Sequence, residues 1–462
     1  MKNTFLFLLI ALSFLACKNT LNQNTSNMSK DSQSNGLQIP AWAKNAVIYE
    51  VNIRQYTPAG TINAFSDHIP RLKEMGVDIL WIMPVFPIST TKKKGELGSY
   101  YAVSDFTEIN PAFGTKQDFL NLIEKIHAYK MKVILDWVPN HTGWDHTWIK
   151  SNPDFYVKDS LGNIIDPVDD KGVSHGWTDV ADLNYKNPDM RAAMIKDLVY
   201  WVKDHKIDGY RMDIAFGVPL DFWKTFSDTI LKVNPDLFLL AEAEDPAHLN
   251  EDAFHACYAW DFHHLMNAVA QKKKPVQDIH NWLTSYKLQF QKGNLMHFTT
   301  NHDENSWNGT EFERMGEGAQ AFAVLTYTFD GIPLMYSGQE EPLRKRLEFF
   351  KKDDIGFSKY EYAGFYTKLN QTKHENEAIW NAPYGGEVIK IGKSDHVYAF
   401  EREKNGNRVV AIINLSDQPR KVTFTKDVMG VRDVFTTQLL KYKNGDDLRL
   451  EPWEYKLAVT EK

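Results

Sequence analysis

Cysteine is nearly absent: Cys17 and Cys257 are the only two in 462 residues. A fold stapled by disulfides is therefore excluded, and the chain must stand on its apolar core. Long hydrophobic runs are missing too. The longest spans residues 5–16, well short of the roughly 20 residues that a helix needs to cross a bilayer. A basic surplus is also lacking. Lys plus Arg number 53 against 60 for Asp plus Glu, a formal charge of −7, so nothing is available to neutralise a polyphosphate backbone and a nucleic-acid partner is excluded. What is present, 43% hydrophobic and 24% charged residues, is the composition of a folded globular protein. The length is too great for one small module and suits a barrel of about 250 residues or more with additions.

The apolar run follows Lys2 and ends in Phe14, Leu15, Ala16 and Cys17, with a small residue just before the cysteine. It reads as a secretory signal over residues 1–16. Its end resembles a bacterial lipobox, although Phe14 stands where Leu is usual. That resemblance implies lipidation of Cys17 and a place at the bacterial cell envelope, on the outer membrane; plain secretion is the alternative. Residues 17–38 are mostly Asn, Ser, Thr and Gln, too polar to order themselves. They are expected to act as a tether, holding the folded part some 25 Å (~5 to 6 Å times the square root of length) from the anchor.

From residue 47 onward, short β-branched or aromatic runs alternate with amphipathic stretches, the pattern of βα units around a parallel sheet. Eight strands are expected, at 47–53, 78–85, 132–138, 209–213, 238–242, 258–262, 295–301 and 333–337. Ile62, Phe65, Ile69 and Leu72, and later Phe119, Leu122, Ile123 and Ile126, recur at the spacing of one helical face. The fold expected is a closed (β/α)8 TIM barrel over 39–141 and 183–380. A small inserted domain over 142–182 follows strand three, and an antiparallel β-sandwich over 381–462 ends the chain.

Barrel enzymes carry their reactive groups just beyond the strand ends. Acids recur there: Asp136 with Asn140 and His141 after strand three, Asp213 with Arg211 on strand four, Glu242 on strand five, and Asp303 with His302 after strand seven. One such acid can be a helix cap. Several meeting at one mouth suit glycosidic cleavage, in which one carboxylate attacks the anomeric carbon and another donates a proton to the leaving oxygen. Asp213 beside Arg211 is expected to stay ionised, and Glu242, among other acids, to have its pKa raised.

In order, DWVPNH at 136–141, GYRMD at 209–213, LLAE at 239–242 and TNHD at 300–303 resemble the conserved regions of the α-amylase family, glycoside hydrolase family 13. ADLN at 181–184, WIMPVFP at 81–87 and GIPLMYSGQE at 331–340 support the match. The resemblance implies Asp213 as nucleophile, Glu242 as general acid/base and Asp303 as the acid that grips ring hydroxyls. It further implies that Arg211 positions Asp213, that His141 and His302 bind hydroxyls, and that Tyr101, four residues before Asp105, stacks under the reacting sugar. Asp136 is read as architectural. A structural calcium is implied at Asn140, Asp182 and the main-chain carbonyl of Gly217; a metal-free site in which Asn140 bonds a loop is the alternative.

The sequence departs from the family in two places. Ile214, Ala215, Phe216 and Gly217 follow Asp213 where a Lys-His pair is common, and Glu244, two residues past Glu242, is a rival for the acid. Trp144, Trp148, Trp177 and Trp307 are candidates to stack on sugars. The function implied is a retaining α-glucan hydrolase, an endo-acting α-1,4-glucanase acting as a monomer on starch-like polymer or maltooligosaccharides. An exo-acting α-glucosidase or glucosyltransferase is the alternative, and a non-catalytic glucan-binding protein the last reading. The lipid expectation has a direct check: cells fed labelled fatty acid should incorporate it into the protein, and Cys17→Ser should abolish the label.

Overall fold

A computed structural model describes residues 37–461 apart from position 170; Cys17 and the expected signal lie outside them. Eight parallel strands and a small ribbon follow one another in chain order. They are β1 (Ile48–Val51), β2 (Ile79–Ile82) and β3 (Lys132–Trp137), then the ribbon β4 (His141–Gly143) with β5 (Val180–Asp182), then β6 (Gly209–Met212). Next come β7 (Phe238–Ala241), β8 (Ala256–Tyr258), β9 (Asn294–His297) and β10 (Ile332–Tyr336). Without the ribbon these strands close a barrel in the order β1-β10-β9-β8-β7-β6-β3-β2, with every neighbouring pair parallel. The TIM barrel expected from the alternating pattern is what forms.

Alternation along the strands explains what fills it. Ile48, Ile79, Ile134, Phe238, Leu240, Met296, Ile332 and Leu334 form an inward apolar cluster. One period further along the same faces come Glu50 on β1, Asp136 on β3 and Arg211 on β6, all fully buried. The barrel is thus oily below and charged above. Helices cover the outside. Lys116–Ala128 starts at a Thr115–Asp118 capping box and buries Phe119, Leu122, Ile123 and Ile126. Pro188–His205 buries Met190, Met194, Leu198 and Trp201. Each such side chain taken fully from water contributes about 1.5–3 kcal/mol.

Three expectations need correction. The stripe from Ile62 to Leu72 is two helices, Ile62–Ser66 and Ile69–Met75, because Pro70 lacks the N–H that would continue the first and suits the opening turn of a second. The sixth strand lies earlier, at Ala256–Tyr258, and Trp260–Ala270 is a helix; Glu244 Oε2 accepts the Asp261 N–H at 2.7 Å and caps it. At the end of the expected tether, the Leu37 N–H donates to Asp252 Oδ1 at 2.8 Å, so residue 37 is docked on the folded part.

The ribbon pairs His141 with Asp182 and Gly143 with Val180, antiparallel, at the neck of the long β3–β6 connection. After helix Ala363–Glu375 the chain enters β11 (Ile389–Lys390), β12 (Gly392–Lys393), β13 (Val397–Lys404), β14 (Asn407–Asn414), β15 (Arg420–Phe424), β16 (Val428–Asp433), β17 (Leu439–Tyr442), β18 (Asp447–Leu450) and β19 (Tyr455–Thr460). A six-stranded sheet, β11-β13-β14-β19-β16-β17, faces a three-stranded one, β12-β15-β18. Ile391, Val410, Ile412, Val422, Phe424 and Leu450 form the core of this sandwich. No helix among the described residues is long and apolar enough to cross a membrane.

Arg402 on β13 joins the sandwich to the barrel. Fully buried, it donates to the carbonyls of Gly386 (2.7 Å), Phe329 (2.6 Å) and Trp380 (3.2 Å), and it meets Asp330 at 3.4 Å. Arg402→Ala removes the shared donor of all of these acceptors, the Phe329 carbonyl being buried. It should lower unfolding free energy by about 3 kcal/mol or more in denaturant titration.

Candidate active site

The charged upper layer of the barrel is organised by one guanidinium. Arg211 Nη1 donates to Asp136 Oδ1 (3.0 Å) and Asp213 Oδ1 (2.8 Å), and Nε donates to the Tyr258 hydroxyl (3.1 Å). Nη2 lies 2.9 Å from Glu242 Oε2, an ion pair off the hydrogen-bond axis. Three carboxylates therefore share one cation. Asp136 is held further by Trp81 Nε1 (3.0 Å) and the Tyr101 hydroxyl (3.1 Å), so both of its oxygens are engaged, and it does not line the cavity.

The positions of Asp213 and Glu242 follow from register. On the adjacent parallel strands β6 and β7, Met212 pairs with Ala241. Asp213 and Glu242 are each one step beyond that pair, so their backbones stand about 4.8 Å apart, the spacing of neighbouring strands. Both side chains open into one cavity of about 510 Å³, together with Tyr101, His141, His302, Asp303, Trp177, Phe216 and Trp307. Ile214, the next residue, adopts left-handed backbone at φ 45°, and from there its N–H donates to Glu242 Oε2 at 2.8 Å.

His302 bridges to the other side of the mouth. Its Nδ1 is 2.5 Å from Glu50 Oε1, and its Nε2 is 2.9 Å from the Tyr101 hydroxyl and 3.4 Å from Asp303 Oδ2. Tyr101 stacks on His302 with centroids 5.6 Å apart. His141 takes a hydrogen bond from Asn140 Nδ2 on Nδ1 at 3.3 Å, which leaves its proton on Nε2.

Charge states follow from burial set against these partners. Burial pushes the Asp213 carboxyl well above the ordinary carboxylate range; Arg211 opposes the rise, and Glu242 and Asp136 add to it. This reverses the expectation that the guanidinium would keep Asp213 low: burial is the larger effect, and Glu242 and Asp136 share the same cation. Burial likewise lifts Asp136 to about 6 against the pull of Arg211. Burial by itself would lower His302, but the carboxylates of Asp303 and Glu50 hold it at about 9. For His141, burial outweighs the Asp179 carboxylate and the Tyr101 main chain, which both act to raise it, and lowers it to about 4. At neutral pH, one histidine of the mouth is charged and the other is not.

Glu244 is turned away from the acids. Capping helix Trp260–Ala270, it is absent from the cavity lining, and burial raises it to about 8. Of the four tryptophans, Trp177 and Trp307 line the cavity. Trp144 is covered by Lys92, 3.2 Å from its ring centroid, and Trp148 packs on Phe106 and Phe155. Sequence reasoning missed several lining or supporting groups: Glu50, Trp81, Tyr258, Phe349, and the Lys94–Asp179 ion pair (2.9 Å) that ties the β2 loop to the inserted segment. A single acid inside the apolar run VIYEV was the one readable signal among them.

Asn140, Asp182 and Gly217 meet in a second cavity of about 560 Å³ that shares Trp177, Ile214 and Phe216 with the first. A Cβ at Gly217 would fall 2.5 Å from Asn140 Oδ1, so only a bare backbone fits beside that oxygen. Burial raises Asp182 to about 7; the Leu183 N–H opposes the rise and the Asp166 carboxylate adds to it. A half-buried acid with no ion pair among the described residues, beside an amide oxygen and an uncrowded main chain, is a donor set that fits a hard divalent ion. Among the described residues no group of three His, Cys, Asp or Glu could hold a metal, which leaves amide and carbonyl oxygens as the other ligands.

The family model for the α-amylase catalytic domain matches residues 18–161 and 173–381. The chain belongs to the α-amylase family. It is accordingly a glycoside hydrolase of amylase type. Alpha-amylase 3 of Dictyoglomus thermophilum is 25% identical over 94% of this chain and 95% of its own length. A cyclomaltodextrinase of Thermoanaerobacter pseudethanolicus is 25% identical over 89% of this chain and 77% of its own. Among solved structures, an α-amylase of Lactobacillus plantarum superposes with a TM-score of 0.80 at 27% identity, covering 91% of this chain and 100% of its own. The maltogenic α-amylase AmyB of Thermotoga neapolitana gives 0.81 at 25%, covering 91% and 99%.

Proposed function

We propose that this family member is a retaining, endo-acting α-1,4-glucanase that cleaves starch-like polysaccharide and maltooligosaccharides by double displacement. One observation carries the reading: Asp213 and Glu242 stand side by side on neighbouring strands, open to one cavity and joined to one guanidinium. One guanidinium that reaches both carboxylates, at 2.8 and 2.9 Å, holds them near each other, as the close pair of a retaining enzyme requires. Burial raises Asp213, so its attack depends on the aligned bond from Arg211 Nη1, which favours the carboxylate over the acid form. Asp213 attacks the anomeric carbon while Glu242 gives its proton to the departing oxygen. Glu242 then takes a proton from water as that water attacks the same carbon and releases Asp213. Asp303 and His302 would hold the ring hydroxyls, His141 would donate from Nε2, and Tyr101 would underlie the reacting ring.

Endo action is favoured by exposed aromatics on both sides of the acids: Phe216 (64% exposed) from the β6 loop and Trp307 (53%) from the β9 loop. Sugars on either side of the cut could rest on them. Maltogenic action on short or cyclic substrates is the second reading, favoured by relatives that bear those names. Wild type should release reducing ends from soluble starch, and Asp213→Asn and Glu242→Gln should each cost about 10³-fold or more in kcat. Early products of mixed length from maltoheptaose support endo action, whereas maltose or glucose alone supports the second reading. An inactive wild type on starch, pullulan and maltooligosaccharides removes both.

The same proposal includes a structural calcium held by Asn140, Asp182 and the Gly217 carbonyl, with water completing the shell. Without metal, a folded-state pKa of about 7 for Asp182 lies above the ordinary unfolded value near 3.9. Its ionisation therefore opposes folding increasingly from about pH 4 to 7, and fully above that. In chelator at pH 8, Asp182→Asn should melt above wild type, and the gap should close as pH falls towards 4. Added calcium should raise the wild-type Tm and leave the variant unmoved; equal responses would exclude metal at this site.

A further inference from the structure

Glu50 is a fully buried acid in the middle of a barrel strand, and neither the nucleophile nor the acid/base touches it. It does not line the cavity. Its Oε1 meets His302 Nδ1 at 2.5 Å, across 252 residues of chain, while Oε2 has no hydrogen-bond partner. A carboxylate this deep is costly to keep unless its charge is used.

Its neighbours show how. An unbroken path runs from Glu50 to His302, to the Tyr101 hydroxyl (2.9 Å), to Asp136 (3.1 Å), to Arg211 (3.0 Å), and so to Asp213 (2.8 Å). Donors and acceptors alternate along it. With both ring nitrogens protonated, His302 donates from Nδ1 to Glu50 and presents Nε2–H to Tyr101 and Asp303. Tyr101 can then donate its own hydrogen to Asp136, which Arg211 and Trp81 also approach as donors. With a neutral His302 protonated on Nδ1, Nε2 would become an acceptor. The Tyr101 hydrogen would turn towards it, and Asp136 would lose a donor.

We propose that Glu50 is a positioning residue for the hydrolytic site: its carboxylate keeps His302 an imidazolium whose second N–H points at Tyr101 and Asp303, and so fixes the donor direction of the whole path. The inference rests on the reading of Asp213, Glu242 and Asp303 given above. Every charged group facing His302 enters the balance. Glu50 from β1, Asp303 from the β9 loop and Asp136 from β3 favour its charge, and Arg211 from β6 opposes it. The Tyr101 hydroxyl, from the loop after β2, is neutral and its own ionisation is pushed up by burial. Glu50 is the one carboxylate on the Nδ1 side.

The test is the pH dependence of kcat/KM on maltoheptaose for wild type, Glu50→Gln and Glu50→Asp, with Tm measured in parallel. Removing an adjacent opposite charge moves such a group by about 1–3 pH units, so the alkaline limb of Glu50→Gln should fall by at least about one unit. Misdirected donors should lower kcat/KM at pH 7 by up to about 10²-fold. Glu50→Asp keeps the charge at longer reach and should lie between, and it serves alone if the Gln variant does not fold. In a His302→Gln background, Glu50→Gln should add little. A merely structural Glu50 would lower Tm and leave the alkaline limb in place, and that result overturns the proposal. Asp213→Asn separates the two claims: if it retains activity, the underlying reading fails, whereas an inactive Asp213→Asn beside an unmoved limb in both Glu50 variants removes Glu50 alone.

Discussion

Arg211 is the constraint from which the site is built. A guanidinium sealed inside a barrel is tolerable only when its donors are spent on anions, and the five N–H bonds of arginine spread over a planar fork reach more than one. Here Asp136 lies behind it, Asp213 beside it and Glu242 across it. The fork fixes where the two outer carboxylates stand before any substrate arrives. It also leaves the layer short of positive charge, so protons must remain on some of its acids. An enzyme that needs one acid protonated and its neighbour ionised can start from that shortage.

The rest of the molecule serves this layer. The apolar cluster beneath it keeps water from entering from below, which strengthens every charge interaction above. Parallel register between β6 and β7 sets the separation of the two acids more firmly than any loop could. The ribbon and the Lys94–Asp179 pair bring the long β3–β6 connection over the mouth. Arg402 holds the sandwich against the far side of the barrel.

Much of this could be read from residues alone. Asp213, Glu242 and Asp303 were legible because each ends a β-branched or aromatic run, and strand ends are where a barrel displays its chemistry. The roles of Tyr101, His141 and His302 were legible only through motifs that resemble the family's, Tyr101 by its place four residues before Asp105, and the structure brings all three to the same cavity. Strand six was misplaced because 258–262 is aromatic and strand-like in isolation, while the Glu244 carboxylate, distant in sequence, caps a helix there. Glu50 was opaque for a related reason. Which face of a strand an acid occupies, and whether a histidine 252 residues away meets it, are set by barrel closure rather than local pattern. The charge balance at Asp213 was misjudged because the sequence shows one arginine nearby but neither how deeply the acid is buried nor that Glu242 and Asp136 share the cation.

The left-handed backbone at Ile214 has a consequence for anyone who would harden this protein against heat. A β-branched residue pays roughly 1–2 kcal/mol to sit there, so glycine at this position is an obvious route to greater thermal endurance. Yet the same twist aims the Ile214 amide at Glu242. Ease at that joint and grip on the proton donor are drawn from one reserve, and slackening the first would be felt in turnover.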